Sequence, residues 1–182
     1  MQNDNGSKKV KKMMLILSKA TLDNAYACFI LANGARMEGI ESEIFFTFFG
    51  LEAIQKEKVD HLHVATVGNP AMNIPTILGG LPGMEAIATK MMKSKMEKLD
   101  IPPVGEFLEI LTASGTKLWA CKLAMDMFNI TEEDFIDDVD GVLTVGDFYA
   151  RAEGDGTHVT SFKILYKYIN FKIVKALLEI DF

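Results

Sequence analysis

Only two of the 182 residues are cysteine, Cys28 and Cys121, and they are not spaced as a CxxC pair. Two thiols are too few for a disulfide framework, and the expected setting is the reducing cytosol. Long apolar runs are missing as well. Met13 to Leu17 is too short for a signal-peptide core and has no small-residue cleavage site behind it. No stretch approaches the ~20 apolar residues of a membrane-spanning helix. The phosphate-cradling patterns GxGxxG and GxxxxGK-S/T do not occur, which removes the usual warrant for a nucleotide site. Positive charge is also in deficit, since 19 Lys and Arg against 25 Asp and Glu give a formal net charge of -6. That balance argues against a nucleic-acid partner, and the lysine-rich patches, at 8–12 and in the C-terminal tail, are local.

What is present reads as a folded globule. Hydrophobic residues make up 49% and charged residues 24% of the chain. The length suits one α/β domain with a real core, after a polar lead at 1–11. Met13 to Leu17 is apolar throughout, as expected of a strand buried on both faces. Thr21 caps a helix carrying Leu22, Ala25, Tyr26, Phe29 and Ile30 at helical spacing, with Gly34 and Gly39 marking its exit. Glu43 to Phe49 is a second two-faced strand, so strand, helix and strand make a βαβ unit with a parallel sheet.

Leu51 to Lys58 predicts a short helix, and the alternation of Leu62 and Val64 against His61 and His63 predicts a weak strand over 61–67. Gly68 to Gly83 is rich in Gly and Pro yet apolar, so it is either packed over something or used to bind something. Helices are expected over 84–99 and 104–114, a strand over 117–121 and a helix over 122–129. A capping box at Thr131 to Asp134, a helix over 144–153 and a last strand over 158–164 follow. The domain is therefore assigned to 12–164. Residues 165–182 form an amphipathic extension, with Ile169, Ile173, Val174, Leu177 and Leu178 on one helical face. Such a tail suits packing on its own domain, on a neighbouring subunit, or peripheral contact with a membrane.

The sharpest chemical signal is Cys121, at the point where a strand hands over to a helix. In a parallel sheet, ligands and reactive groups collect beyond the carboxyl ends of the strands. The helix dipole, the first-turn amides of Lys122, Leu123 and Ala124, and the Lys122 charge would all favour a nucleophilic thiolate. The competing reading is a small buried hydrophobe, which most free cysteines are. Cys28 falls mid-helix, where core packing is expected. Ser18 and Thr21 precede a helix and could cradle an anion, although ordinary capping explains them. Asp60, His61 and His63 invite a metal assignment but lack the third and fourth converging ligands, and no metal or other cofactor is expected.

Several segments resemble one known family in order along the chain. Ala32-Asn-Gly-Ala35, Met37-Glu-Gly39 and Phe45-Phe-Thr-Phe48 are similar to the opening of DsrE-like proteins, in the larger, methionine-rich DsrE/DsrF/DrsH-like branch. Leu81-Pro-Gly-Met84 with Ala88-Thr-Lys-Met-Met92, then Ala120-Cys121 with Met125-Asp126 and Gly141-Val142, match its middle and its cysteine segment. The resemblance covers roughly Met13 to Phe162. It implies a three-layer αβα sandwich with a mainly parallel sheet, to which the C-terminal helical extension is an addition. It also implies homo-oligomers and a role in sulfur relay, with the sulfur held on Cys121 as a persulfide or thiosulfonate and passed to a sulfur-carrier or rhodanese-type partner protein. Lys122 and Asn129 stand where that family leads one to expect an uncharged polar residue and a glycine. The loop bearing Asn69, Pro75, Pro82, Gly83 and Met84 is expected to lie over the sulfur. Two other readings use the same residues: a non-catalytic oligomeric binding module built on the loop and tail, and a thiol redox sensor pairing Cys121 with Cys28.

Overall fold

The computed structural model describes residues 10–66, 81–154 and 156–162. The apolar run near the N-terminus lies in β1 (Lys12–Lys19), and the Phe-rich run is β2 (Glu41–Phe49). They are joined by α1 (Leu22–Met37). Further along the chain come α2 (Met84–Glu97) and α3 (Val104–Ala113). Then follow β3 (Lys117–Cys121), α4 (Lys122–Phe128), β4 (Gly141–Leu143), α5 (Val145–Ala152) and β5 (Thr157–Phe162). The five strands form one sheet in the order β4-β3-β2-β1-β5, every neighbouring pair parallel.

That order dictates the layers. From β1 through β4 each crossover steps the same way across the sheet, and the step to β5 returns past β1 to the opposite edge. Right-handed crossovers then put α1 and α3 on one face and α5 on the other, giving the three-layer αβα sandwich. The first face is closed by rings, with Phe107 of α3 within 5.9 Å of both Tyr26 and Phe29 of α1. On the second face Phe148 of α5 stacks 4.9 Å from Phe45 of β2. Leu15, Leu17, Ile44, Phe46, Leu118 and Ala120 are fully buried between the layers.

Three local expectations needed correction. Residues 51–58 do not form an α-helix: a 3-10 turn covers Gly50–Ile54, after which Gln55 bridges to Phe135. Residues 61–66 are not a strand. Leu62 and Val64 are buried because the segment docks on helices, its His63 carbonyl accepting from the Leu22 amide and its Val64 amide donating to Thr89 Oγ1. Gly34 does not end α1, which runs on to Met37. The short edge strand β4 was not foreseen. Asn69, Pro75 and the tail 165–182 lie outside the described residues.

The passage from β2 into its 3-10 turn is tight. A Cβ on Gly50 would overlap the backbone carbonyl of Leu17, and backbone cannot swing aside as a long side chain can. Gly50→Ala is therefore expected to destabilise the fold by about 2–3 kcal/mol, lowering the denaturant midpoint at unchanged slope.

Candidate functional site

The carboxyl edge of the sheet gathers the ends of β1, β2 and β3 at Lys19, Phe49 and Cys121. Cys121 is both the last residue of β3, paired with Leu143 of β4, and the N-cap of α4 at φ -81 and ψ 116. It is 5% exposed. Alternation along β3 sets it on the same face as Trp119. The helix it opens is seven residues long and closes at Asn129, in the left-handed conformation at φ 53. An asparagine tolerates that C-cap geometry as a glycine does, so the residue expected to be glycine here is physically equivalent in role.

The groups expected to support the thiolate are disposed differently. The Cys121 side chain makes no capping hydrogen bond to the first turn. Lys122 points along the exposed face of α4, where its Nζ pairs with Asp126 one turn on. Leu123 is 61% exposed. Thr21 is the N-cap of α1, and its Oγ1 accepts from the Asn24 amide at 2.6 Å instead of from the helix backbone. The neighbouring Leu22 amide is already taken by His63. Ser18 sits where the β1–β2 register slips between Leu17 and Lys19. Pro82 is exposed, Gly83 caps α2 at φ 89 and Met84 opens that helix. Glu85, the next residue, faces His63 at 3.7 Å and shares a cavity with Lys19, Thr21 and Phe49. The first turn of α2 thus meets the ends of β1 and β2, and Cys121 does not line that cavity.

A second cavity lies along α4, and Cys121 does not line it either. This shallow cavity of about 630 Å³ is lined by Lys122 and Met125 of α4, by Ile130 and by Val142 and Thr144 around the end of β4. These are the sequence neighbours of Cys121 and of its strand partner Leu143. Among the described residues no group of three or more His, Cys, Asp or Glu side chains is placed to hold a metal, and no helix is long and apolar enough to cross a membrane.

Cys28 is a different kind of thiol. It is fully buried in α1, and burial pushes its pKa far above the ordinary thiol value. Alkylation of the native protein is therefore expected to reach Cys121 first, with Cys28 modified only on unfolding. Peptide mapping after timed iodoacetamide treatment reads this order directly.

One cluster has no counterpart in the sequence reading. Glu43, 6% exposed, receives a bidentate pair from Arg151 (2.6 and 3.1 Å), Lys12 Nζ at 2.6 Å and Trp119 Nε1 at 2.7 Å. Arg151 also lies over the Trp119 ring, 4.3 Å from its centroid. The only hint was a carboxylate inside an otherwise apolar two-faced strand, and its partners are 31, 76 and 108 positions away. This cluster ties β1, β2, β3 and α5 together on the face that carries Cys121.

The family model described as DsrE/DsrF/DrsH-like matches residues 9–157. The chain belongs to that family. Two curated relatives agree with it. The sulfur carrier protein DsrE2 of Allochromatium vinosum is 36% identical over 153 residues, covering 80% of this chain and 95% of that protein. YrkE of Bacillus subtilis, described as uncharacterized, is 30% identical over 139 residues, covering 74% of this chain and 87% of its own length. Among solved structures, the protein of unknown function MTH1491 from Methanobacterium thermoautotrophicum superposes with a TM-score of 0.50 at 11% identity, covering 82% of this chain and 98% of its own. At that identity the likeness speaks for the fold alone.

Proposed function

We propose that this DsrE-like protein is a sulfur carrier that holds sulfane sulfur as a persulfide on Cys121. The observation that carries the reading is the 36% identity, over nearly the whole relative, to a protein named as a sulfur carrier. The position of Cys121 at the carboxyl edge, where β3 passes directly into α4, supports it.

The chemistry is a pair of exchanges with no net redox change. The Cys121 thiolate attacks the terminal sulfur of a donor persulfide; a new S–S bond forms, the donor's S–S bond breaks, and the donor leaves as a thiolate. An acceptor thiolate then attacks the outer sulfur, and Cys121 departs as a thiolate. Asp126 holds the Lys122 ammonium on the helix surface in the resting state. An anionic donor arriving at α4 can draw that ammonium toward itself, so Lys122 serves recognition of the anion. Because Cys121 is almost fully covered, loading requires α4 or the end of β4 to shift, which a docked donor protein would drive. The partners are thus a donor and an acceptor protein that each present a thiol, with the carrier itself a homo-oligomer in the reducing cytosol. A Cys28–Cys121 redox couple is disfavoured, since Cys28 is fully buried in α1 on the far side of the sheet.

The test is intact-mass and peptide mass spectrometry after incubation with a small-molecule polysulfide. The expected result is one added sulfur (about 32 Da) on the Cys121 peptide, removed by reductant. No adduct on folded, reduced protein, or an adduct confined to Cys28, would overturn the reading.

A further inference from the structure

Beside the sulfur site lies a groove that the sulfur chemistry does not use. Its apolar floor is built from the end of β2 and the end of α4: Phe49 and Phe128 stack at 5.4 Å, with Phe48 and Ile130 beside them, over about 540 Å³. Phe48 and Phe49 are 47% and 59% exposed. Phe48 is held at φ 48, a left-handed conformation rare for a bulky side chain, so the fold keeps its ring at this edge at a backbone cost.

The rim is acidic. Lys58 is paired with Glu52 at 2.7 Å, and Lys56 is divided between Asp137 at 3.2 Å and the charge of Asp134, so two lysines face the four rim carboxylates Glu52, Glu57, Glu133 and Asp134. Glu57 and Glu133 have no lysine partner among the described residues. Asp134 is kept ionised, its pKa lowered by the backbone and side-chain hydrogen bonds of Thr131. An apolar floor inside an acidic rim fits a segment that is both apolar and basic.

The chain supplies such a segment. Residues 163–178 carry Lys163, Lys167, Lys172 and Lys175, no acidic residue, and apolar or aromatic side chains at most other positions. Of the other stretches outside the described residues, 67–80 has no charged side chain and 1–9 has almost no apolar one. Reach is ample. β5 ends at Phe162, in register with Leu17 of β1, at the same edge as the groove. From there β2 is two strand spacings away, about 10 Å. Twenty residues span roughly 65 Å extended and about 30 Å even at a helical rise. The intervening cavity beyond β1 shares Phe49, Glu52 and Lys58 with the groove, so the path is continuous.

We infer that the C-terminal segment from Lys163 onward docks in its own chain's Phe49–Phe128 groove, its lysines against Glu57, Glu133 and Asp134. The inference stands apart from the sulfur reading and is tested without any sulfur donor. Full-length chains, half of them uniformly 15N-labelled, are treated with a water-soluble carbodiimide, which joins lysine amines to carboxylates in direct contact, and mapped by mass spectrometry. Expected are links from Lys163–Lys175 to Glu57, Glu133 or Asp134 within chains of one isotope. The pairs Lys58–Glu52 and Lys117–Asp140 serve as internal controls of fold and chemistry. Phe49→Lys, at an exposed position, is expected to cut the tail links at least about fivefold while leaving the control links intact. The inference is overturned if the controls form but the tail lysines link elsewhere or not at all, as they would on a membrane surface. It is equally overturned if the links join light to heavy chains, which would put the tail on a second copy, or if Phe49→Lys leaves them unchanged.

Discussion

Cys121→Ser is expected to lose sulfur uptake from polysulfide by at least about a hundredfold while the fold is retained, because a serine hydroxyl is not ionised near neutral pH and cannot form a persulfide. The substitution is unusually clean at this position. Residue 121 is the N-cap of α4, and its sulfur makes no hydrogen bond to the helix backbone. Serine prefers that position and can accept from a first-turn amide, a gain of about 1 kcal/mol that offsets burial of the hydroxyl. A loss of uptake therefore reports chemistry and not unfolding, which circular dichroism and the thermal midpoint would confirm. Uptake unchanged in Cys121→Ser would remove this residue from the mechanism. Cys28→Ala should leave uptake as it is.

The largest structural effect is expected at Glu43. Glu43→Gln keeps the shape of the side chain but removes the charge that compensates both Arg151 and Lys12 around a carboxylate that is almost fully covered. Breaking one partner out of a buried ionic cluster costs about 3–5 kcal/mol, and the partial exposure of Arg151 favours the lower end. About 3 kcal/mol corresponds to roughly 6–12 °C in the thermal midpoint for a domain of this size. The same cluster predicts a pH dependence. Burial works to raise the Glu43 pKa, but hydrogen bonds from Arg151, Lys12 and Trp119 outweigh it, and the carboxyl is held below the ordinary glutamate value of 4.5. A group depressed in the folded state contributes its full stability above its unfolded pKa and loses it as pH falls through the folded one. Wild-type stability should thus decline as pH drops below about 4.5, and the Glu43→Gln curve should be flatter over the same window. Equal slopes for the two proteins would mean that Glu43 is not the responsible group.

The sheet was legible because β1, β2 and β3 are short runs apolar on both faces, as doubly covered parallel strands are, and helices fall between them. β4 escaped notice because three residues beginning at Gly141 carry no periodicity, and its place is fixed by pairing with Trp119 to Cys121. The alternation at 61–64 misled for the opposite reason. Leu62 and Val64 do face inward, but their backbone is satisfied by Leu22 and Thr89 and not by a ladder. At the site, the junction that makes Cys121 an N-cap could be read directly from Ala120-Cys121-Lys122. The orientation of Lys122 could not, since it is decided by Asp126 four residues on. The Glu43 cluster and the Phe49–Phe128 groove were invisible for a common reason: both are assembled from residues far apart in sequence, by topology and not by local pattern.

The sheet order also governs how the chain comes together as it is made. β1 is synthesised first yet has neighbours on both sides, β2 arriving soon after and β5 only at residues 157–162. Until residues 157–162 have left the ribosome, one long flank of β1 presents unpaired amides and carbonyls beside Met14, Ile16 and other apolar side chains, the sort of edge that recruits foreign strands. A chain stopped short of Thr157 would carry that open flank permanently. The six residues of β5 thus act as the seal on a nascent protein, and the interval before they emerge is when it most needs a chaperone.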